Sequence, residues 1–234
     1  MYPPIRTPAK RTPLPLLAFF CLLPTIQTAV SVNFQWYTNI TYPAFKLLMI
    51  VLPIVLWWLS GFSLHDVRRL CGCLPTTMLP GLSLGLIMAA IILGGYYGFL
   101  RSTIDPLGIL TKLHSLGLFR YYWLMAVFIS LAHSLLEEYY WRAFILTQLA
   151  RWIPGTLPLS VSAGAIFGLH HIFVLLSLFA LPLLALCVLA TMLAGFAWSW
   201  MRLAGYSIWD CYLSHVFADL AVMWIGYDLL LKAQ

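Results

Sequence analysis

Hydrophobic residues in this chain form long runs separated by short polar connections. The runs cover residues 14–32, 43–62, 79–100, 119–141, 158–177, 181–201 and 208–230. Each is close to the ~20 apolar residues that a membrane-spanning helix needs, and none alternates with the period of two of a lipid-facing β-strand. Since backbone groups in lipid must be satisfied internally, the pattern predicts an all-α, polytopic transmembrane helix bundle of about seven helices.

Two features of this pattern affect how the chain is divided. The apolar stretch from Leu157 to Trp200 is too long for one span, and Pro182 predicts the break between two helices. No connection is longer than about 20 residues, which predicts a single membrane domain without a soluble one.

Composition supports the membrane assignment and argues against nucleic acid as a partner. The chain of 234 residues is 62% hydrophobic and 9% charged, with a mean hydropathy of +0.92. Charges are too few to cover a water-soluble globule. The net charge of +6 comes from basic residues scattered between apolar runs, not from a stripe on one surface. We therefore expect a lipid bilayer as the surroundings and no nucleic acid.

Basic residues at the ends of the runs predict the orientation. Arg6, Lys10 and Arg11 precede the first run. The bases that follow the second, fourth and sixth runs are Arg68, Arg69, Arg151 and Arg202. The positive-inside rule makes these ends, and the N-terminus, cytoplasmic. The basic connection 101–120, with Arg101, Lys112 and Arg120, falls on the opposite side and weakens this prediction, although its Leu and Ile residues are compatible with an interfacial position. The first run resembles a signal peptide, and we expect it to be retained as an anchor.

Two adjacent glutamates interrupt the fourth run. A carboxylate in lipid costs about 2.5 kcal/mol or more, so Glu137 and Glu138 are expected to mark a functional site. Successive residues turn by about 100°, and Glu138 lies four residues before Arg142, which predicts an ion pair. Glu137 is then the candidate general base. His133 lies four residues before Glu137 and is expected to orient it, a packed or interfacial histidine being the alternative.

Two further clusters place imidazoles in apolar runs. Phe167 and His171 are four apart and share a helix face, while His170 points about 100° away. Only one of the two histidines is expected to line a shared pocket. His215 and Asp219 are also four apart, so either Asp219 holds the His215 ring or both project toward a reacting group.

These residue types favour hydrolysis. A carboxylate and a neutral imidazole can polarise a water molecule, and further imidazole donors can stabilise an oxyanion. Ser134, Ser162 and Ser214 lie near the clusters, but nothing in their spacing marks a nucleophile. We therefore expect a mechanism without a serine nucleophile.

Taken together, the three clusters resemble the signature of a known enzyme family. The motifs are Glu137-Glu138 with Arg142, Phe167 with His171, and His215 with Asp219. They are similar to those of the CPBP family, the glutamic-type intramembrane proteases that include the Rce1 CAAX-processing enzymes. The resemblance covers about residues 118–230. It implies a cofactor-free intramembrane endopeptidase with catalytic helices in 118–234. The three transmembrane helices predicted from the apolar runs in 1–117 lie outside the resemblance.

The resemblance also implies roles for individual residues. Glu137 would work with His171 to activate water, while His215 and Asp219 would stabilise the oxyanion and Arg142 would support the catalytic helix. Rce1-type enzymes have Asn where this chain has Asp219, and an ionised carboxylate would repel an oxyanion. Asp219 is therefore expected either to stay protonated or to act through His215.

The amino-acid sequences of these motifs resemble those of bacterial members of the family more than those of eukaryotic members. Some of these relatives are linked with C-terminal protein-sorting signals. The resemblance thus implies a bacterial plasma membrane location and a membrane-anchored protein or peptide substrate that is cleaved near a C-terminal anchor. This is an analogy, since a shared fold does not set the substrate.

Three other functions remain open on sequence grounds. Enough nitrogen and oxygen ligands for a zinc-dependent metalloprotease are present in His133, Glu137, His171, His215 and Asp219, although the chain has no HExxH pair. A proton- or cation-coupled transporter also uses buried Glu and His, but no internal repeat is visible. An immunity-type membrane protein on the same scaffold would tolerate substitution of Glu137.

The predicted helix boundaries place two candidate catalytic residues at different depths. They place Glu137 near the cytoplasmic end of its helix and His171 roughly 10 Å deeper, at 1.5 Å of rise per residue. A shared site then requires a tilted helix or a shifted boundary.

Overall fold

The computed structural model describes residues 11–72 and 77–233, which form helices and no strand. The helices are α1 (Leu14–Asn33), α2 (Thr38–Leu59), α3 (Leu64–Cys71), α4 (Leu79–Leu100), α5 (Pro106–Ser115), α6 (Phe119–Leu149), α7 (Thr156–Leu176), α8 (Leu181–Leu203) and α9 (Ile208–Lys232). In this part of the chain, all but α3 and α5 are long and apolar enough to cross a membrane, seven in total. The predicted all-α, polytopic fold is confirmed, and the chain is an integral multi-pass membrane protein. Arg6 and Lys10 lie outside the described residues.

The observed helix boundaries confirm one boundary that the sequence predicts and correct another. The predicted break is confirmed, because α7 ends at Leu176 and α8 begins at Leu181 with Pro182 in its first turn. The predicted end of the fourth span at residue 141 is wrong, because α6 continues to Leu149. Its last turns contain polar residues that lower the local hydropathy but are buried in the structure.

The chain divides into two compact units, each built from discontinuous segments. The first comprises Met1–Leu74 and Leu136–Ile208, and the second comprises Pro75–Leu135 and Trp209–Gln234. Helix α6 therefore contributes to both units. The division between residues 117 and 118, which the family resemblance suggested, stays a prediction.

In the first unit, helices α7 and α8 approach closely through glycines. A Cβ on Gly164 would lie 2.6 Å from the Met192 carbonyl oxygen, and a Cβ on Gly195 would lie 2.8 Å from the Phe167 ring. Gly168 lies one turn beyond Gly164 on the same face of α7. Small residues at such spacing let two backbones pack directly in a membrane. They hold the α7 segment that leads into the histidine pair.

Aromatic residues fasten the C-terminal part of α6 to α1 and α2 in the same unit. The Tyr140 hydroxyl donates to the Phe20 carbonyl at 2.7 Å, and the Tyr139 hydroxyl donates to the Ile50 carbonyl at 3.0 Å. The Trp57 ring packs edge-on against Tyr139, with 5.7 Å between ring centres. These contacts hold the turn that directly follows the glutamates.

Arg202, a residue on which the predicted orientation rests, is buried in the first unit. Its guanidinium donates to the carbonyls of Leu70 at 2.8 Å and Tyr206 at 3.0 Å. Leu70 belongs to the last turn of α3, where carbonyls lack helical donors and a basic side chain can supply them. Arg202 therefore stabilises the C-terminal end of α3, and the orientation itself stays a prediction.

In the second unit, α4 packs directly on α9. A Cβ on Gly85 would lie 2.9 Å from the Ser214 Cα, and one on Gly81 would collide with the Asp210 backbone. The glycines are four apart, so the contact again uses one face of closely approaching helices. This contact holds the part of α9 that carries His215.

At the other end of α9, Asp228 collects three polar contacts. Arg101 donates to its two carboxylate oxygens at 2.9 and 3.0 Å, and the Tyr96 hydroxyl donates at 2.6 Å. Arg101 belongs to the basic connection that weakens the orientation prediction. Its charge is therefore offset by a carboxylate within the same unit.

Candidate active site

The glutamates lie on a short α-helical turn between two π-helical segments of α6. Ser134–Glu138 is α-helical, whereas Phe128–His133 and Tyr139–Ile145 are π-helical. Each π segment widens the turn and rotates the following side chains, and such segments occur frequently at functional sites. His133 ends the first π segment and is half-buried, and its orienting role stays a prediction.

Glu137 meets an imidazole of α7 in the first unit. The His170 Nε2 lies 3.1 Å from the Glu137 Oε1, and only 5% and 3% of the two residues is exposed. The sequence predicted that Glu137 and the histidine pair lie at different depths. This difference disappears because α6 extends to Leu149, so that Glu137 lies in the interior of the helix. His170 is thus a partner of Glu137 that the sequence analysis passed over in favour of His171.

His171 lies beside His170 and has a different environment. The two ring centres are 4.0 Å apart, and the His171 Nδ1 lies 3.3 Å from the Phe167 carbonyl oxygen. A carbonyl only accepts, so the ring nitrogen must donate its proton there. The neutral ring then has its lone pair on Nε2, the form of imidazole that can accept a proton. The water-activating role of His171 stays a prediction.

Aromatic rings surround His170. The Trp141 ring is stacked at 5.6 Å with 17° between the ring planes, and the Phe167 ring approaches edge-on at 5.2 Å. Such contacts restrict rotation of the imidazole and so keep Nε2 directed at Glu137. Trp141 was not identified from the sequence, although its position four residues after Glu137 was a signal that could have pointed to it.

Glu138 and Arg142 form the ion pair that their spacing predicts. The Arg142 Nε lies 3.4 Å from the Glu138 Oε2, and both side chains are almost fully buried. The guanidinium lies 4.6 Å from the ring centre of Phe167 and 5.0 Å from that of Trp198, within cation–π range, and Nη2 is 3.4 Å from the Gly195 carbonyl oxygen. Phe167 therefore connects the Arg142 cation to the histidine pair.

The second unit contains the remaining predicted site residues. The Ser134 Oγ lies 2.5 Å from the Asp219 Oδ2, and the His215 Nε2 lies 3.7 Å from the same oxygen. The latter distance suits an ion pair but is too long for a hydrogen bond. Ser134 is thus a contact of Asp219 that the sequence analysis did not identify. Ser214 donates to the Cys211 carbonyl of its own helix at 3.0 Å.

Candidate metal ligands do not cluster in the described part of the chain. Within residues 11–72 and 77–233, no group of three His, Cys, Asp or Glu side chains is arranged to hold a metal ion. The zinc alternative and the absence of a cofactor both stay predictions, to be tested with a chelator.

Comparison with known proteins covers the helices that carry these residues. A family model described as type II CAAX prenyl endopeptidase Rce1-like matches residues 119–221. The matched segment runs from the start of α6 into α9 and includes Glu137, the histidine pair, His215 and Asp219. The family resemblance drawn from the motifs is therefore confirmed over this segment. No curated protein and no solved structure matches the chain.

Proposed function

We propose that this chain, whose residues 119–221 match the Rce1-like endopeptidase family, is an intramembrane endopeptidase that hydrolyses a peptide bond of a membrane-anchored protein. The observation that carries the proposal is the contact of 3.1 Å between Glu137 and His170. Ionisable groups in apolar helices are costly and occur mainly where they perform chemistry or transport. A carboxylate joined to an imidazole is a suitable pair for activating water.

In the proposed reaction, Glu137 is the general base. Its carboxylate takes a proton from water as the water oxygen attacks the peptide carbonyl carbon, which forms a tetrahedral intermediate. The His170 Nε2–H donates to the carboxylate and orients it, while the His171 Nε2 lone pair is a second acceptor for the water. The proton on Glu137 then passes to the leaving amine as the C–N bond breaks. General base catalysis of this kind contributes roughly 10²–10⁴-fold to the rate.

The oxyanion role of His215 and Asp219 follows from the family resemblance. Ser134 bears on the protonation of Asp219, because its Oγ lies 2.8 Å from the Ile129 carbonyl oxygen and 2.5 Å from the Asp219 Oδ2. The single hydroxyl proton cannot donate to both oxygens at once. Both contacts are satisfied together when Asp219 carries a proton, and a neutral carboxyl would not repel an oxyanion.

The test is cleavage of co-expressed, C-terminally anchored proteins, with products identified by mass. The wild-type chain is expected to cleave in the presence of a metal chelator. Glu137→Gln should lower cleavage by about 100-fold or more, because the amide cannot take a proton from water. Asp105→Asn is the matched control. Asp105 caps α5 by accepting from the Leu107 N–H at 3.0 Å, and Asn caps helices equally well.

The alternatives give different outcomes in the same experiment. Loss of cleavage on chelation, with recovery on adding zinc, would favour the metalloprotease. Cleavage by Glu137→Gln at the wild-type rate would exclude Glu137 as the base. A membrane phenotype that persists in Glu137→Gln without any cleavage product would favour the immunity-type protein.

A further inference from the structure

A lysine lies within a membrane span outside the segment that matches the endopeptidase family. Lys46 is the only charged residue in α2, and its side chain is half-buried. An ammonium group at such a position costs roughly 2.5–3.5 kcal/mol and usually faces a protein interior with an anionic partner. Lys46 is therefore expected to have an anionic group nearby.

Lys46 lies on the face of α2 that packs against the protein. At 3.6 residues per turn, it lies within about 20° of Pro53 and Trp57, and both of these are buried. Trp57 contacts Tyr139 of α6 at 5.7 Å between ring centres. The face that carries Lys46 is therefore directed toward α6 within the first unit.

The contacts between α2 and α6 also give the level of Lys46. The Tyr139 hydroxyl donates to the Ile50 carbonyl at 3.0 Å. Ile50 lies one turn after Lys46, and Tyr139 lies two residues after Glu137. Further along both helices, the Trp57 ring meets the Phe144 ring at 5.8 Å between ring centres, so α2 and α6 run in the same direction. Lys46 therefore comes level with the turn that carries Glu137.

Lys46 does not neutralise Glu137 by direct contact. Its ammonium lies 5.3 Å from the ring centre of Tyr42, and in the described part of the chain it makes no hydrogen bond or contact ion pair. In a medium of low dielectric constant, two opposite charges attract each other appreciably beyond contact distance. An ammonium at this position can therefore act on the carboxylate through space.

Lys46 is the cation that α2 brings to the level of Glu137. Other titratable groups also lie near this carboxylate. The charge of neighbouring Glu138 is offset by Arg142. Helix α7 contributes the imidazoles of His170 and His171, and α2 contributes the Tyr42 phenol next to Lys46. We propose that Lys46 is the counter-cation of Glu137, a positioning residue that keeps this carboxylate ionised and able to accept the proton of water.

The part of this inference that concerns catalysis rests on the proposed function, whereas the coupling of the two charges does not. A buried carboxyl without a nearby cation favours its neutral form, which cannot act as a base. The consequence is a pH dependence controlled by a helix outside the matched segment.

The first experiment is a pH–rate profile of the full chain in membranes. Lys46→Met keeps the length of the side chain and removes its charge, and the acidic limb of the profile should move to higher pH by about one unit. Lys46→Arg keeps the positive charge and should return the acidic limb to its wild-type position. If Lys46 served packing alone, the position of the limb would not follow the charge of the side chain. Lys112→Met, on α5, is the matched control and should keep the wild-type profile. An unmoved acidic limb in Lys46→Met would overturn the proposal.

A second experiment needs no substrate. Infrared spectra of the full chain in detergent follow the conversion of carboxylate to carboxyl with pH, and the band that Glu137→Gln lacks belongs to Glu137. This band should convert at higher pH in Lys46→Met than in the wild type, and identical titrations would refute the coupling. If Lys46→Met does not accumulate, Lys46→Gln gives the same comparison. A shifted band together with active Glu137→Gln would refute the proposed function and leave the charge coupling standing.

Discussion

At the scale of single residues, the two adjacent histidines have different contacts. His170 faces the Glu137 carboxylate, while the His171 Nδ1 donates to the Phe167 carbonyl. We expect His170→Ala to lower kcat by about 100-fold, because Glu137 loses the donor that orients it. The yield of folded protein, measured by size-exclusion chromatography in detergent, should stay near that of the wild type.

The corresponding variant His171→Ala distinguishes the roles of the two histidines. If His171 accepts the proton of water, as the family resemblance implies, this variant should lose activity to a similar extent. Full activity in His170→Ala with loss in His171→Ala would assign the partnership with Glu137 to His171 alone.

A second residue-scale prediction concerns the buried ion pair. Glu138→Ala leaves the Arg142 guanidinium buried without its carboxylate, which should lower the free energy of unfolding by about 3–5 kcal/mol. The measurement is the thermal unfolding midpoint in detergent. The double variant Glu138→Leu, Arg142→Met removes both charges and should recover most of the loss. A Glu138→Ala midpoint equal to that of the wild type would show that the pair does not stabilise the fold.

At the scale of helices, the contact between α7 and α8 is expected to set the direction of His170. A Cβ on Gly164 would lie 2.6 Å from backbone atoms of Met192 and Phe196, so one helix must shift to accommodate it. Gly164→Ala should therefore cost about 1–3 kcal/mol of stability, the usual range for overpacking, and should also lower activity.

Gly94 provides the control for this substitution. It lies inside α4, and a Cβ there would meet nothing within 4 Å. Gly94→Ala should be neutral or stabilising by up to about 1 kcal/mol, because alanine favours the helix. Equal unfolding midpoints for the two variants would contradict the close approach of α7 and α8.

Helix α6 shows the limits of reading helices from hydropathy and spacing. The glutamates and their spacing to Arg142 were sufficient to predict the ion pair, because that contact is local. The π-helical segments Phe128–His133 and Tyr139–Ile145 could not be anticipated from a regular turn of about 100° per residue. The last turns of α6 were also missed, since Thr147 and Gln148 are polar but buried.

At the scale of the whole molecule, the number of candidate spans predicts on which sides of the membrane the two ends lie. If all seven candidate spans of the described residues cross the membrane, the residues before α1 and those after α9 are expected on opposite sides. The positive-inside rule predicts that the residues before α1 are cytoplasmic. In sealed vesicles of one orientation, external protease should therefore cleave an epitope tag at one end of the chain only. In vesicles of the opposite orientation, it should cleave the tag at the other end only. Protection of both tags in the same vesicles would contradict the seven-span topology.

The sequence by itself determined the membrane class, most helix positions, the glutamate pair with Arg142, and the family resemblance of residues 119–221. These depend on composition, on runs of apolar residues and on neighbours within one helix turn. Only the tertiary structure showed that His170 lies against Glu137, because this contact depends on how α7 is rotated in its packing against α8. It also decided the contact of Ser134 with Asp219 and the position of Lys46. Each of these joins residues distant along the chain, and their meeting depends on how whole helices pack.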